Sequence, residues 1–105
     1  ERYVRDQPVL TLPEAIRKMT SFPAWRLGLA DRGALKPGTK ADIVVFDLER
    51  IHDRATNLYP HTYPFENYPH QYPQGIDYVF VNGVLVVDGE QHTGALPGQV
   101  LRKGK

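Results

Sequence analysis

The sequence contains no cysteine, so neither a disulfide framework nor a thiolate metal site can form. No apolar run approaches the roughly 20 residues that a membrane-spanning helix needs, and we expect no membrane partner. No charge of one sign dominates, because 13 basic residues stand against 12 acidic ones, for a formal net charge of +1. The basic residues are scattered along the chain rather than clustered. We therefore expect no nucleic-acid partner.

The composition is that of a globular chain of modest size. At 105 residues, 41% hydrophobic and 24% charged, it has room for one small domain with a limited core. No secretory signal is recognisable at the start, which favours a cytoplasmic location. The chain begins at Glu1 without an initiator methionine, as expected of a fragment or a processed product.

Two short helices are predicted near the start. Thr11 and Glu14 fit a capping box. Pro23 should end this first helix near Ser21, which could cap a second helix that Gly28 closes. Apolar residues recur at helical spacing in the first helix: Leu12, Ala15, Ile16 and Met19. This apolar stripe is interpreted as packing on its own domain, with a partner-binding surface as the alternative.

A first β segment is predicted at residues 43–46. The run from Ile43 to Phe46 is apolar without alternation, so the strand should be covered on both sides. Asp42 and Asp47 bracket it. Paired carboxylates can perform acid–base chemistry, but five residues of strand place these two roughly 17 Å apart. They are therefore interpreted as polar groups at the strand ends.

Residues 50–77 form a predicted loop rich in Tyr, Pro and His. The unit Tyr-Pro-His-x-Tyr-Pro occurs at residues 59–64 and again at 68–73. Its prolines exclude a helix and a central strand, which favours an extended, polyproline-like loop. His61 and His70 raise the possibility of a metal site with Glu66, although two histidines are too few ligands. The favoured interpretation is a loop that bonds onto a neighbouring surface through its Tyr and His side chains.

A β-hairpin is predicted around Asn82-Gly83, the pair typical of a type I′ turn. A two-residue turn pairs Val81 with Val84 and continues the pairing outward to Tyr78 with Val87. Residues 99–101 are a candidate for a last short strand. Both faces of the hairpin are apolar. The first helix could cover one face, but 105 residues leave the sheet short of partners. We therefore expect the chain to pack against more protein, either a larger enzyme or an oligomer.

The order of several motifs is similar to the C-terminal part of amidohydrolase-superfamily enzymes. They are AWRLGL at 24–29, DRGALKPG at 31–38, ADIVVFD at 41–47, PHQYPQGI at 69–76, VFVNG at 79–83 and TGALPG at 93–98. Within the superfamily they look most like the N-acyl-D-amino-acid deacylases (D-aminoacylases). The resemblance implies a metal-bearing (β/α)₈ barrel and a small β-sandwich. Residues 1–29 would be barrel-side helices, and residues 30–105 the C-terminal share of the sandwich. The fold class is thus mainly β with N-terminal helices, incomplete without the rest of the enzyme.

No residue of this chain matches the metal ligands of that family, since it has no His-x-His pair. The resemblance therefore assigns no catalytic, cofactor-binding or metal-binding residue here, and it implies zinc in the barrel of the parent enzyme. The expected function is a non-catalytic segment of an enzyme that hydrolyses the amide bond of N-acyl-D-amino acids. Its expected partners are the barrel and the N-terminal sandwich strands, or a second copy. The alternatives are a cyclic amidohydrolase of the hydantoinase or dihydroorotase kind, and a stand-alone binding module that uses the Tyr-Pro-His-x-Tyr-Pro loop.

Overall fold

Helices come first along the chain and an antiparallel sheet follows them, as the sequence predicts. The structure is a computed structural model that describes residues 1–54 and 72–102. A π-helical turn at Arg2–Asp6 precedes two α-helices, α1 at Leu12–Met19 and α2 at Ser21–Leu27. The strands are β1 (Ile43–Phe46), β2 (Ile76–Val81), β3 (Val84–Asp88) and β4 (Gln91–His92). None of the helical segments in this part of the chain has the length and hydropathy needed to cross a bilayer.

The predicted cap of α1 is half formed. The Thr11 hydroxyl accepts a hydrogen bond from the backbone N–H of Glu14 at 3.4 Å, while the Glu14 carboxylate binds Arg17 at 2.8 Å. The second cap prediction is wrong, because Ser21 is already helical and Thr20 holds the N-cap position. Thr20 makes no side-chain cap bond there, since its hydroxyl donates to the Ile16 carbonyl at 2.7 Å. The two helices therefore follow each other with a single residue between them.

The sheet is a meander in the order β1-β2-β3-β4, antiparallel throughout. The predicted type I′ turn is present, with positive φ at both Asn82 (49°) and Gly83 (79°). The predicted pairing of Val81 with Val84 is confirmed. One further residue pair keeps the predicted register. The register then shifts by one residue, so that Val79 lies opposite Val87. The prediction that Tyr78 faces Val87 is therefore wrong, because a bulge places one extra residue in β3.

The last strand lies elsewhere than predicted. Residues 99–101 form no strand in the structure. Instead, Gln91 and His92 fold back on β3 after a turn in which both Gly89 (φ 55°) and Glu90 (φ 69°) are left-handed. A two-residue turn with this geometry brings the chain straight back alongside the strand that precedes it. The sheet therefore gains its fourth strand from residues that carry little β propensity of their own.

Very little of the apolar surface is buried. Among the described residues, Ala15 and Ala24 are the only buried hydrophobic side chains. The prediction that β1 is covered on both sides is wrong for this part of the chain, since Val44 is 53% and Val45 is 43% exposed. The prediction that the first helix covers the sheet also fails, because α1 packs against α2 and the strands pack against one another. The sheet therefore stands with both faces half exposed.

Candidate functional site

Asp42, just before β1, is bound into a cluster with Arg32 and Asn82. The Arg32 guanidinium contacts Oδ2 of Asp42 and donates to Oδ1 of Asn82 at 2.8 Å. The other Asp42 oxygen accepts the backbone N–H of Asn82 at 2.9 Å. The Arg32 side chain is only 10% exposed. These contacts tie the loop before β1 to the tip of the β2–β3 hairpin.

The charge on Asp42 is stabilised by the same contacts. The backbone N–H of Asn82 and, after it, the guanidinium of Arg32 hold the pKa of the Asp42 carboxyl below its ordinary value of 3.8. A general acid or base at neutral pH needs a pKa near 7. The shift runs the other way, so Asp42 is suited to a permanent ionic contact rather than to proton transfer.

Asp47, directly after β1, organises a second cluster around Arg50. Arg50 donates to Asp47 at 2.9 Å and to Asp77 at 2.7 Å, and it lies 3.9 Å from a Glu90 oxygen. The guanidinium of Arg50 and the N–H of Glu49 lower the pKa of the Asp47 carboxyl. One cation therefore contacts three carboxylates at the end of the sheet where β1 finishes and β2 begins. The prediction that Asp42 and Asp47 are polar groups at the strand ends agrees with these contacts.

The two segments that flank residues 55–71 are fastened together. His52 and Gln74 form an isolated antiparallel β-bridge. Gly75 donates its N–H to Glu90 at 2.8 Å and accepts the N–H of Asp47 at 2.9 Å. Gly75 has φ +84°, and a Cβ there would lie 2.5 Å from the Ile51 nitrogen. Only glycine meets both demands without strain, so this position brings the two segments into backbone contact.

The amino end of the chain joins the same region. The carboxylate of Glu1 lies 2.8 Å from Nδ1 of His52 and accepts the backbone N–H of Asp53 at 2.6 Å. The backbone N–H of Asp53, followed by the His52 side chain, lowers the pKa of the Glu1 carboxyl. Arg5 donates to the carbonyl oxygens of Leu48 and Glu49, at 3.1 and 2.7 Å. His52 is thus bound to a carboxylate.

The described part of the chain offers no metal centre. Within residues 1–54 and 72–102, no group of three or more His, Asp or Glu side chains is placed to hold a metal ion. These residues therefore do not fit a catalytic metal, and no catalytic step is assigned to them. The proposed ligands His61, His70 and Glu66 lie outside the described residues, as does most of the repeated Tyr-Pro-His-x-Tyr-Pro unit. The expectations about both stay predictions.

One face of the sheet carries an open pocket of about 140 Å³. Its lining is predominantly apolar and consists of Tyr72, Pro73, Ile76, Val79, Val87, Glu90 and His92. The opposite face exposes Val45 and Tyr78, which lie directly across from each other on β1 and β2. Apolar side chains left half exposed on both faces are typical of a surface that packs against more protein.

Two arginines and one glutamate that build these clusters were not singled out in the sequence. Arg32 and Arg50 belong to no catalytic pattern, and their partners lie far away in sequence, at Asn82 and Asp77. Glu90 follows Asp88-Gly89, a pair that is typical of turns, but its carboxylate reaches Gly75 only because the chain turns back there. The one signal that could have indicated Glu90 is its position directly after that glycine turn.

Comparison with known proteins shows which family has a similar sequence. Residues 1–87 match the amidohydrolase family. The chain belongs to the amidohydrolase family. It is 44% identical over 101 residues to an N-acyl-D-aspartate deacylase of Alcaligenes xylosoxydans xylosoxydans, a match that covers 96% of this chain and 18% of that protein.

Two solved structures extend this result to the fold of the amidohydrolase chain. A D-aminoacylase crystal structure superposes with a TM-score of 0.76 at 38% identity, over 90% of this chain and 18% of that one. An N-acyl-D-glutamate deacylase from Bordetella bronchiseptica, complexed with zinc and a phosphonate inhibitor, superposes with a TM-score of 0.68 at 42% identity, over 81% of this chain and 16% of that one. The predicted family and fold are confirmed. The chain spans about a fifth of the length of these relatives, and the predicted domain boundary at residue 29 stays a prediction.

Proposed function

We propose that this amidohydrolase chain is the C-terminal, non-catalytic share of an enzyme that hydrolyses the amide bond of N-acyl-D-amino acids. The observation that carries the proposal is the 44% identity to an N-acyl-D-aspartate deacylase over 96% of the chain. The similarity to the D-aminoacylase structure supports it, because that match covers 90% of this chain. Zinc, which accompanies the inhibitor in the related deacylase, is proposed as the metal of the complete protein.

The scaffold role rests on what the charged side chains do. Asp42, Asp47 and Glu90 each accept hydrogen bonds from backbone N–H groups within this chain. Asp42 and Asp47 are also bound to arginines. A catalytic carboxylate needs a free oxygen within reach of substrate and a pKa matched to its task. These acids instead connect loops and strands, which supports a structural role.

The proposed partner is the remainder of the same enzyme, namely its barrel and the N-terminal strands of the sandwich. The exposed apolar residues lie on both sheet faces, as Val44 and Val45 do, and also on α2. There Trp25 stacks on Phe22 with ring centroids 6.1 Å apart while remaining 70% exposed. Burying a side chain of this size stabilises a protein by about 1.5–3 kcal/mol. Covering these faces would therefore supply the core that the described residues lack.

The test uses the complete polypeptide that carries this chain, loaded with zinc. We expect it to release free amino acid from N-acetyl-D-aspartate, N-acetyl-D-glutamate or N-acetyl-D-leucine, and not from the L enantiomers. Hydrolysis of hydantoins or dihydroorotate without hydrolysis of acylated D-amino acids would favour the cyclic amidohydrolase instead. Residues 1–105 expressed alone with zinc serve as the matched control, and turnover by them above background contradicts the non-catalytic role.

The stand-alone binding module predicts a different outcome for the isolated chain. It requires residues 1–105 to be folded and monodisperse, and it requires Tyr63→Ala and Tyr72→Ala to lose a partner while remaining folded. The scaffold proposal predicts that the isolated chain aggregates or fails to pack, and that adding the rest of the enzyme restores a folded complex. Size-exclusion chromatography with light scattering distinguishes the two.

A further inference from the structure

The Asn82-Gly83 pair that forms the hairpin turn is also a chemically reactive sequence. In an Asn-Gly pair, the glycine nitrogen can attack the side-chain amide carbon of the asparagine, because glycine has no Cβ to hinder the approach. The product is a cyclic imide. The type I′ turn favours the same two residues, since both φ angles are positive. The turn therefore contains a reactive pair whose backbone conformation suits its place in the fold.

The side chain of Asn82 is held at both ends. Its Oδ1 accepts a hydrogen bond from Arg32 at 2.8 Å, and its Nδ2 donates to the carbonyl oxygen of Pro97 at 2.9 Å. The Arg32 side chain is only 10% exposed and this contact is part-buried, so competition from water is reduced. Rotating the amide carbon toward the next backbone nitrogen breaks both bonds. The Pro97 carbonyl also has no proton to give, so it cannot assist the departure of the amide nitrogen.

The backbone around the pair is held as well. The N–H of Gly83, which is the nucleophile, donates to the carbonyl oxygen of Ala41 at 2.9 Å. The N–H of Asn82 donates to Asp42 at 2.9 Å. Four hydrogen bonds thus fix the side-chain amide, the nucleophile and the peptide group that precedes Asn82, and their partners lie in three separate segments of the chain.

We propose that Asn82 is a deamidation site that the fold keeps latent, and that opening the contact between the hairpin tip and the Arg32 loop releases it. In the reaction the Gly83 nitrogen forms a bond to Cγ of Asn82, and the bond from Cγ to Nδ2 breaks. Ammonia leaves with the proton from the Gly83 nitrogen. Water then opens the imide at either carbonyl, which leaves an aspartyl or an isoaspartyl residue at position 82.

Either product damages the contact that had suppressed the reaction. An aspartyl side chain has no N–H for the Pro97 carbonyl, and it places a second carboxylate beside Asp42. An isoaspartyl residue adds a methylene to the main chain within a turn that admits two residues. Deamidation is irreversible here, so each event removes one molecule from the native population. The fraction of molecules that are deamidated at position 82 therefore increases with how often the hairpin tip opens. This inference is independent of the proposed enzymatic activity.

The test compares deamidation of the complete protein in native buffer and in denaturant at the same pH and temperature. Peptide mapping by mass spectrometry quantifies the aspartyl and isoaspartyl forms at position 82. Asn57 and Asn67 provide internal controls, because Leu58 and Tyr68 follow them and hinder ring closure. We expect deamidation of Asn82 to be at least about tenfold slower in the native protein than in denaturant. Equal rates overturn the proposal.

A matched pair of variants identifies the restraint. Arg32→Ala removes the bond to Asn82, whereas Arg17→Ala removes an exposed arginine whose partners among the described residues are Glu14 and the ring of Phe22. We expect native deamidation to rise about fivefold or more in Arg32→Ala and to stay unchanged in Arg17→Ala. A slower reaction in Arg32→Ala shows that Arg32 activates the amide, and it overturns the restraint. If Arg32→Ala fails to fold, the comparison of native protein with denatured protein still decides the matter.

Discussion

At the scale of the residue, two arginines and one glycine explain how distant segments are joined. Arg32 connects the loop before β1 to the hairpin tip. Arg50 connects the chain that follows β1 to the start of β2. Gly75 permits backbone contact between those ends at Ile51. The Asp42 and Asp47 positions could be predicted from the strand they bracket. Their partners could not, because a guanidinium can bind any carboxylate that the fold brings within reach.

Gly75→Ala should destabilise the protein more than Gly38→Ala does. Both glycines have positive φ, 84° and 89°, so an alanine pays the left-handed backbone cost of about 1–2 kcal/mol at either position. At Gly38 the added Cβ meets open space, whereas at Gly75 it meets the Ile51 backbone at 2.5 Å. We expect about 1–3 kcal/mol of additional destabilisation at Gly75. Urea unfolding of the two variants measures the difference, and equal midpoints would contradict the close contact.

The stability of the protein should fall on acidification, in part through Asp42. Its pKa in the folded chain is below its ordinary value of 3.8, so its contribution is fully present above that pH. The contribution is lost as the pH falls through the lowered pKa. We expect the melting temperature of Asp42→Asn to depend less on pH below about pH 4 than that of the unaltered protein. Asp31→Asn is the control, since the Asp31 carboxylate makes no bond to the described residues. Parallel curves for all three proteins count against the prediction.

At the scale of the element, local signals placed the helices and the hairpin, while contacts between strands decided their details. Thr11, Gly28 and Asn82-Gly83 mark boundaries that the structure keeps. The bulge in β3 and the strand β4 were not predicted. Val86 resembles its apolar neighbours, so the sequence gives no signal for a bulge there. Gln91 and His92 pair with β3 because the Gly89-Glu90 turn returns the chain to that strand. Register therefore depends on the partner strand.

Thr11→Ala should weaken α1, whereas Thr20→Ala should have little effect. The Thr11 hydroxyl caps the helix by accepting the Glu14 N–H, so its loss costs about 0.5–1 kcal/mol. Thr20 stands at the N-cap of α2 but bonds back to Ile16, which contributes little to a helix. Chemical denaturation of both variants, with circular dichroism at the helix band, provides the comparison. A larger loss for Thr20→Ala than for Thr11→Ala would show that the assigned caps are wrong.

At the scale of the whole molecule, the described residues bury too little to account for a stable domain. The sheet has apolar side chains on both faces, and the buried hydrophobic side chains that the structure describes are two alanines, Ala15 and Ala24. The sequence predicted this shortage from the apolar hairpin strands. The sequence could not predict that the helices do not pack on the sheet, because an amphipathic stripe does not specify which element it contacts. In α1 that neighbour is α2.

Val45→Asp should therefore be more damaging to the complete protein than Leu96→Asp is. Within residues 1–105 the Val45 side chain is 43% exposed, so it is available for contact with the rest of the enzyme. If the rest of the enzyme covers this face, the carboxylate is buried without a partner there, at a cost of about 2–4 kcal/mol. Leu96→Asp, at a position that is 87% exposed, is the control. Thermal unfolding of the two variants of the complete protein decides, and an equal loss of stability means that the face is not covered.

The sequence by itself determined the family, the order of helices and strands, and the position of the hairpin turn. These depend on local chemistry: caps, the positive φ that Asn82-Gly83 accepts, and apolar runs such as Ile43–Phe46. Only the tertiary structure decided which charges meet, where β3 gains its extra residue, and that the helices leave the sheet uncovered. Those outcomes depend on distances between segments far apart in the chain, which a residue pattern does not contain. Asp42 illustrates both kinds of outcome. Its position directly before β1 can be read from the local sequence, whereas its bonds to Arg32 and Asn82 form only when the chain is folded.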